Sequence, residues 1–132
     1  MRAGARVVHT VGVVDEYVAS WFRAFLWTTA LEVPVAAWLL RDGDAALPRR
    51  VARVSLASVL THPAVWFVFP FLGLSYRAQV AASELWAVLA ELVFYRLMFW
   101  ELGWRRCAQA SLLANALSFL TGLGLQRWGA LG

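Results

Sequence analysis

The chain has 132 residues, 61% of them hydrophobic and 15% charged, with a mean hydropathy of +0.63. That balance excludes a secreted disulfide scaffold, a nucleotide-binding α/β domain and a disordered tail, and it is the composition of a protein that lives in a bilayer. Twelve basic residues, all Arg, against eight acids give a net charge of +4, yet the arginines lie mostly between apolar runs, where they meet phospholipid headgroups and set topology rather than bind nucleic acid.

A helix needs about 20 apolar residues to cross about 30 Å of hydrocarbon, which leaves room here for roughly four crossings and no second domain. The first 23 residues carry Arg2, Arg6, Asp15, Glu16 and Arg23 among Tyr17, Trp21 and Phe22. They are too polar for the hydrophobic region of a signal peptide, and they predict an interfacial lead-in. Spans are expected over 24–40, 54–74, 79–100 and 107–125, separated by Arg41-Asp42-Gly43-Asp44 with Pro48-Arg49-Arg50, by Ser75-Tyr76-Arg77, and by Glu101 to Arg106. The predicted fold is an all-α, integral membrane four-helix bundle in a single transmembrane domain over 1–132, with an interfacial N-terminal segment. Trp21, Trp38, Trp100, Trp104 and Trp128 fall toward span ends, as rings at headgroup level do. Orientation is nearly undetermined, because six arginines after spans one and three face five on the other side. Cys107 is the one cysteine, which excludes an internal disulfide and a Cys-based zinc site.

Each expected span carries a polar residue near its centre: Glu32, His62, Glu91 and Asn115. An ionised group at that depth costs about 2.5–3.5 kcal/mol or more, so these side chains are expected to face one another. Helical spacing supports a shared interior. Thr28 and Thr29 precede Glu32 by about a turn; Ser55, Ser58 and His62 share a face, with Thr61 beside His62; Glu84, Ala87, Glu91 and Tyr95 share another; Ser111, Asn115, Ser118 and Gly122 form the fourth. Pro34 and Pro63 each remove a backbone hydrogen bond, which is expected to free the carbonyls of Ala30 and Val59 close to the cluster.

Three chemistries fit this set. Glu32, His62, Glu91 and Asn115 are a plausible N/O ligand group for a divalent metal ion such as Zn, Mn or Fe. The same residues could relay protons, with Glu84, Tyr95, Ser111, Ser118 and Thr61 as relay members or supports. They could also only hold the bundle together, through Glu32 with His62 and Glu91 with Asn115 or Tyr95. Outside the spans, His9 is expected to be exposed, Arg96 to stack on Trp100, Glu101 to pair with Arg105, and Arg49, Arg50 and Arg53 to contact anionic lipid. The ridge Ala110, Ala114, Ser118, Gly122 offers a face for a homo-oligomer or a larger membrane complex.

The motifs Glu32-Val-Pro34, Thr61-His62-Pro63-Ala-Val-Trp66, Glu84 with Glu91, and Ser111 to Asn115 with Ser118 resemble those of a family of small four-span bacterial membrane proteins. That resemblance covers nearly the whole chain from Glu32; it implies that the polar set belongs together and suggests a bacterial inner membrane, and it carries no activity. Glu91-Leu-Val-Phe-Tyr-Arg96 is also similar, in its first Glu and its Arg, to the glutamate intramembrane proteases that process CAAX proteins. In such a hydrolase Glu91 would activate water and Asn115 would hold an oxyanion. Three features depart from that pattern: the second Glu is missing, Ser111 stands where that family has His, and His62 precedes the Glu. No Gly-x-Ser-x-Gly elbow for serine chemistry is present.

Overall fold

A computed structural model describes residues 3–127; Arg2 and Trp128 lie outside the described residues, as do the side chains of Arg6 and His9. It is helical throughout: α1 Ala3–Leu39, α2 Leu47–Phe67, α3 Tyr76–Met98 and α4 Trp104–Arg127, with a short 3-10 turn at Phe69–Phe71. Each helix packs on its sequence neighbours and α4 closes back on α1, while among the described residues the backbones of the two diagonal pairs stand apart. The helices therefore form a ring around one axis, with short connections that reverse direction each time.

Local chemistry sets the helix ends. Pro48 sits in the first turn of α2, where its missing N–H costs nothing. The Ser75 side chain accepts from the Ala78 N–H and caps α3. Gly73, at φ +68°, makes the left-handed step in the connection between α2 and α3.

The interfacial lead-in is not a separate element. Residues 3–23 are the first half of α1, a single helix of 37 residues that reaches about 55 Å, compared with about 30 Å for the 21 residues of α2. Its charged residues interrupt hydropathy but not helix propensity, so polarity marked a boundary that the backbone does not have. Within that half the helix meets the bundle at Tyr17, whose hydroxyl donates to the Trp66 carbonyl at 2.6 Å and whose ring meets Trp66 edge-on.

The two prolines do not break their helices, and α1 and α2 run on through Pro34 and Pro63. Ala30 and Val59, whose carbonyls they free, lie on exposed turns away from the cluster. Pro34 follows Glu32 by two residues, about 200° around the helix, so the loosened turn faces outward.

At the end of the ring that carries the 40–46 and 99–103 connections, hereafter the floor, packing is dense. Ala36, Leu40, Val54, Ala57, Tyr95, Phe99, Cys107, Ala110 and Ala114 are buried together there. Alanines at the contacts let the helices approach closely. The Ala110/Ala114 ridge is thus spent inside the bundle, and Ser118 beyond it reaches Glu32 on α1, so this ridge is not an outward face for a second copy.

Polar contacts stitch the floor loops. Arg106 donates from Nε to the Leu39 carbonyl at 2.7 Å and pairs with Asp42. Glu101 does not turn to Arg105; its Oε1 accepts from the Asp44 N–H at 3.1 Å. That approach needs glycine beside it, because a Cβ at Gly43 would lie 2.6 Å from the same oxygen. Arg96 sits over Trp104, not Trp100, at 5.7 Å, and donates instead to the Trp100 carbonyl at 2.7 Å. Arg50 and Arg53 are engaged by the Arg41 carbonyl and Asp44, whereas Arg49 and Arg105 are exposed.

Partial burial pushes the Glu101 carboxyl up, but hydrogen bonds from its own backbone and from Asp44, with the Arg53 charge, outweigh this and hold it below its ordinary value. A carboxyl lowered on folding stabilises fully above the ordinary value of 4.5 and loses that contribution as pH falls through the folded value. Glu101→Gln is therefore expected to flatten the acid side of a stability–pH curve and leave its neutral and alkaline parts parallel to wild type. Thermal unfolding across pH measures this, and an unchanged acid limb would show that the contact is energetically silent.

Two helical stretches, Leu47–Phe71 and Trp104–Leu125, are long and apolar enough to cross a membrane, and both are largely exposed on the bundle surface. The other two helices carry Glu32, Glu84 and Glu91 inside the ring.

Candidate functional site

The four residues from the four expected span centres meet in one cavity. Glu32 from α1, His62 from α2, Glu91 from α3 and Asn115 from α4 line a chamber of about 150 Å³, together with Thr28, Ser58, Thr61, Glu84 and Ser118. Each helix contributes because its polar residues recur at three- and four-residue spacing and so share the inward face.

Glu91 is the centre of the hydrogen-bonding. Its Oε1 accepts from Ser58 Oγ at 3.2 Å, and its Oε2 accepts from Asn115 Nδ2 at 2.8 Å and from the Tyr95 hydroxyl at 3.2 Å. One carboxylate thus ties α2, α3 and α4, and it is 1% exposed. Asn115 also donates to the Ser111 carbonyl at 2.9 Å, while Ser111 Oγ donates to the Val88 carbonyl at 2.7 Å, fastening α4 to α3. Ser111 and Tyr95 support the chamber from outside its lining. The Asn115 amide N–H groups are directed at Glu91 and Ser111, so they are not aimed at a substrate oxyanion.

Glu32 is held differently. Ser118 Oγ donates to its Oε1 at 2.6 Å, which joins α1 to α4. Glu32 does not pair with His62. The His62 Nδ1 instead accepts from Trp21 Nε1 at 3.1 Å, which leaves the proton of a neutral imidazole on Nε2. Aromatic rings pack around this histidine: Phe25 meets it edge-on at 5.3 Å, and Trp21 lies beyond against Phe67. Thr61 bonds back to the Ala57 carbonyl, and its own carbonyl accepts from Trp86 Nε1 at 3.3 Å.

Sequence spacing places Thr28 and Ser58 on the inward faces without a contact of their own, and places Trp21 only at headgroup level. Trp21, Phe25, Thr28 and Glu32 follow one another at four, three and four residues, a helical face that a separate N-terminal segment hides and a continuous α1 exposes. Ser58 lies one turn before His62 and is the α2 residue that reaches Glu91.

Among the described residues, no group of three or more His, Cys, Asp or Glu is placed to hold a metal ion. To ligate one, Glu91 would have to use the lone pair that remains on Oε1, since Oε2 already accepts from Asn115 and Tyr95, and His62 would have to use Nε2. Three carboxylates line the chamber and, among the described residues, no arginine or lysine does.

Two further cavities adjoin it. One of about 390 Å³ lies at the end opposite the floor and shares Val65, Trp66, Glu84 and Phe119 with the chamber. The other, about 290 Å³, is a cleft between α1 and α4 lined by Arg23, Trp27, Leu31 and Leu125, sharing Ala24, Thr28, Trp66 and Ser118. No family model, no curated protein and no solved structure matches this chain.

Proposed function

We propose that the chain is a four-span membrane protein of the bacterial inner membrane that takes up a proton at a mid-depth carboxylate site, as a component of a transport system or of a larger membrane complex. The bilayer reading is supported by an inverted surface. The outer faces of α1 and α3 carry Phe22, Leu26, Trp27 and Trp38, and Leu85, Leu89, Val93 and Leu97, all exposed, while the carboxylates point inward. An exposed apolar belt on all four helices with a polar interior is stable in lipid and costly in water. Arg49 and Arg105, exposed at the floor, suit anionic headgroups.

The observation that carries the chemistry is the unbalanced chamber: Glu32, Glu84 and Glu91 share it with no basic side chain among the described residues. Buried anions without a partner require a compensating cation, and the proton is the smallest. In this reading Glu32 and Glu91 accept the proton, Ser58, Ser118 and Asn115 orient them, and His62, held by Trp21, forms part of the chamber wall.

The test is an acid-minus-base infrared difference spectrum of protein in lipid, with elemental analysis of the same preparation. A carboxyl C=O band that is lost in Glu32→Gln or Glu91→Gln, in metal-free protein, is the expected result. Stoichiometric Zn, Mn or Fe that vanishes in those variants would replace the proton by a metal, and a spectrum with no carboxyl band would remove proton uptake altogether. One observation favours a second reading. The full set of donors on Glu91 is also what a bundle-fastening residue needs, and co-purification with a larger partner, with cluster variants silent, would support it.

A further inference from the structure

We infer that the chamber is loaded from one face of the membrane only, by a water-borne cation that passes Glu84, and that the opposite face is closed by a plug of Tyr95 and Phe99. This rests on the membrane reading above but not on the identity of the cation.

The asymmetry lies in the packing on either side of Glu91. Toward the floor, the next two turns of α3 present Tyr95 and Phe99, both fully buried, with Leu40, Val54 and Cys107 around them. The Tyr95 hydroxyl is bonded to Glu91 and its ring meets Phe99 edge-on at 6.5 Å, so the interior below Glu91 is filled by buried aromatic rings. Toward the other end, two turns back along α3, Glu84 lines both the chamber and the 390 Å³ cavity. That cavity has a polar side formed by Tyr17, Tyr76, Gln79, Ser83 and Glu84, and it lies beneath the connection between α2 and α3. It is a vestibule, and Glu84 stands at its threshold. The α1/α4 cleft carries Ser20, Thr28, Ser118 and Thr121 beside Trp27, Leu31 and Leu125, but the guanidinium of Arg23 also lines it and repels a cation.

Carboxylates along a narrow low-dielectric passage concentrate cations and repel anions. The passage is thus selective by sign as well as by side. Its discriminating residue is Glu84, which the hydrogen-bonded hub does not need.

Cysteine labelling in sealed membrane vesicles of both orientations tests this with membrane-impermeant thiol reagents. Tyr76→Cys and Asp44→Cys, exposed at opposite ends of the bundle, define the two faces. Buried native Cys107 is expected to stay unlabelled from both. Ser83→Cys in the vestibule and Ser58→Cys in the chamber are expected to react from the Tyr76 face and not from the Asp44 face, and Thr28→Cys serves as a second chamber reporter should Ser58→Cys fail to fold. A cationic methanethiosulfonate is expected to label the chamber about tenfold faster than an anionic one, a preference that Glu84→Gln reduces toward unity. Labelling of both chamber reporters from the Asp44 face or from both faces would overturn the inference. So would chamber reporters that stay silent while Ser83→Cys reacts, or a charge preference that survives Glu84→Gln. One-sided labelling in protein with no carboxyl band would leave the access path standing and remove only proton uptake.

Discussion

Glu91→Gln is expected to fold like the wild type and to lose the site's chemistry, whereas Glu91→Ala is expected to lose both. The geometry around the carboxylate makes the distinction. A glutamine can place its carbonyl oxygen where Oε2 accepts from Asn115 and Tyr95, and turn its NH₂ toward Ser58, whose hydroxyl accepts as readily as it donates. Every contact survives and only the charge and the titrating proton go, so the stability change stays within about 1 kcal/mol. Alanine strips the acceptor from three side chains on α2, α3 and α4 and leaves a void. At about 0.6 kcal/mol for a typical interhelical membrane hydrogen bond, with a cavity term added, the loss is roughly 2–3 kcal/mol. The buried thiol of Cys107 is a built-in reporter, since a thiol-reactive dye reaches it only as the bundle opens. A Glu91→Gln protein that unfolds like Glu91→Ala would mean that charge, not hydrogen-bonding shape, holds the hub. One that keeps the carboxyl band and all cellular activity would restrict Glu91 to fastening helices.

Glu84→Gln separates the two carboxylates of α3. Glu84 accepts no side-chain hydrogen bond among the described contacts and sits two turns from Glu91, so its replacement is expected to alter access and leave thermal stability unchanged.

The site was legible because its members obey a rule that sequence shows directly. Glu84, Ala87, Glu91 and Tyr95, or Ser111, Asn115 and Ser118, can share a face at their spacing in no conformation but a helix. A polar stripe on an apolar helix must find an interior, so four such stripes at one depth implied one chamber. The rotation of each helix about its axis was not legible, because it is set by packing between side chains far apart in sequence. Glu32 therefore meets Ser118 rather than His62, and His62 turns to Trp21, 41 residues away along the chain. Length misled at the N-terminus: hydropathy drops at Arg23, Glu16 and Asp15, but helix propensity does not, and α1 continues. The prolines differ for another reason: sequence identifies the carbonyl that each one frees, but not the side of the helix on which the packed bundle leaves it.

The floor is where the structure commits most to a closed bundle, and Phe99→Ala is expected to be its most damaging single truncation. Phe99 caps α3, is fully buried, meets Tyr95 edge-on, and carries the Arg53 guanidinium over its ring at 5.3 Å. Removing a buried phenyl ring that neighbours cannot replace costs about 3 kcal/mol or more, and here Tyr95 is tied to Glu91 and the loops are tied by Arg106 and Glu101, which leaves the site little freedom to collapse. The stability loss alone would describe any core residue. The plug predicts in addition a change of sidedness: in Phe99→Ala, Cys107 and the Ser58→Cys reporter become reactive from the Asp44 face, from which both are shielded in wild type. Phe69→Ala is the matched control, since Phe69 packs partly exposed against Trp86 at the vestibule end and its loss widens a passage that is already open. If Phe99→Ala lowers stability while labelling from the Asp44 face stays absent in the folded fraction, the seal lies elsewhere, in the alanine-lined helix contacts between Glu91 and the floor loops.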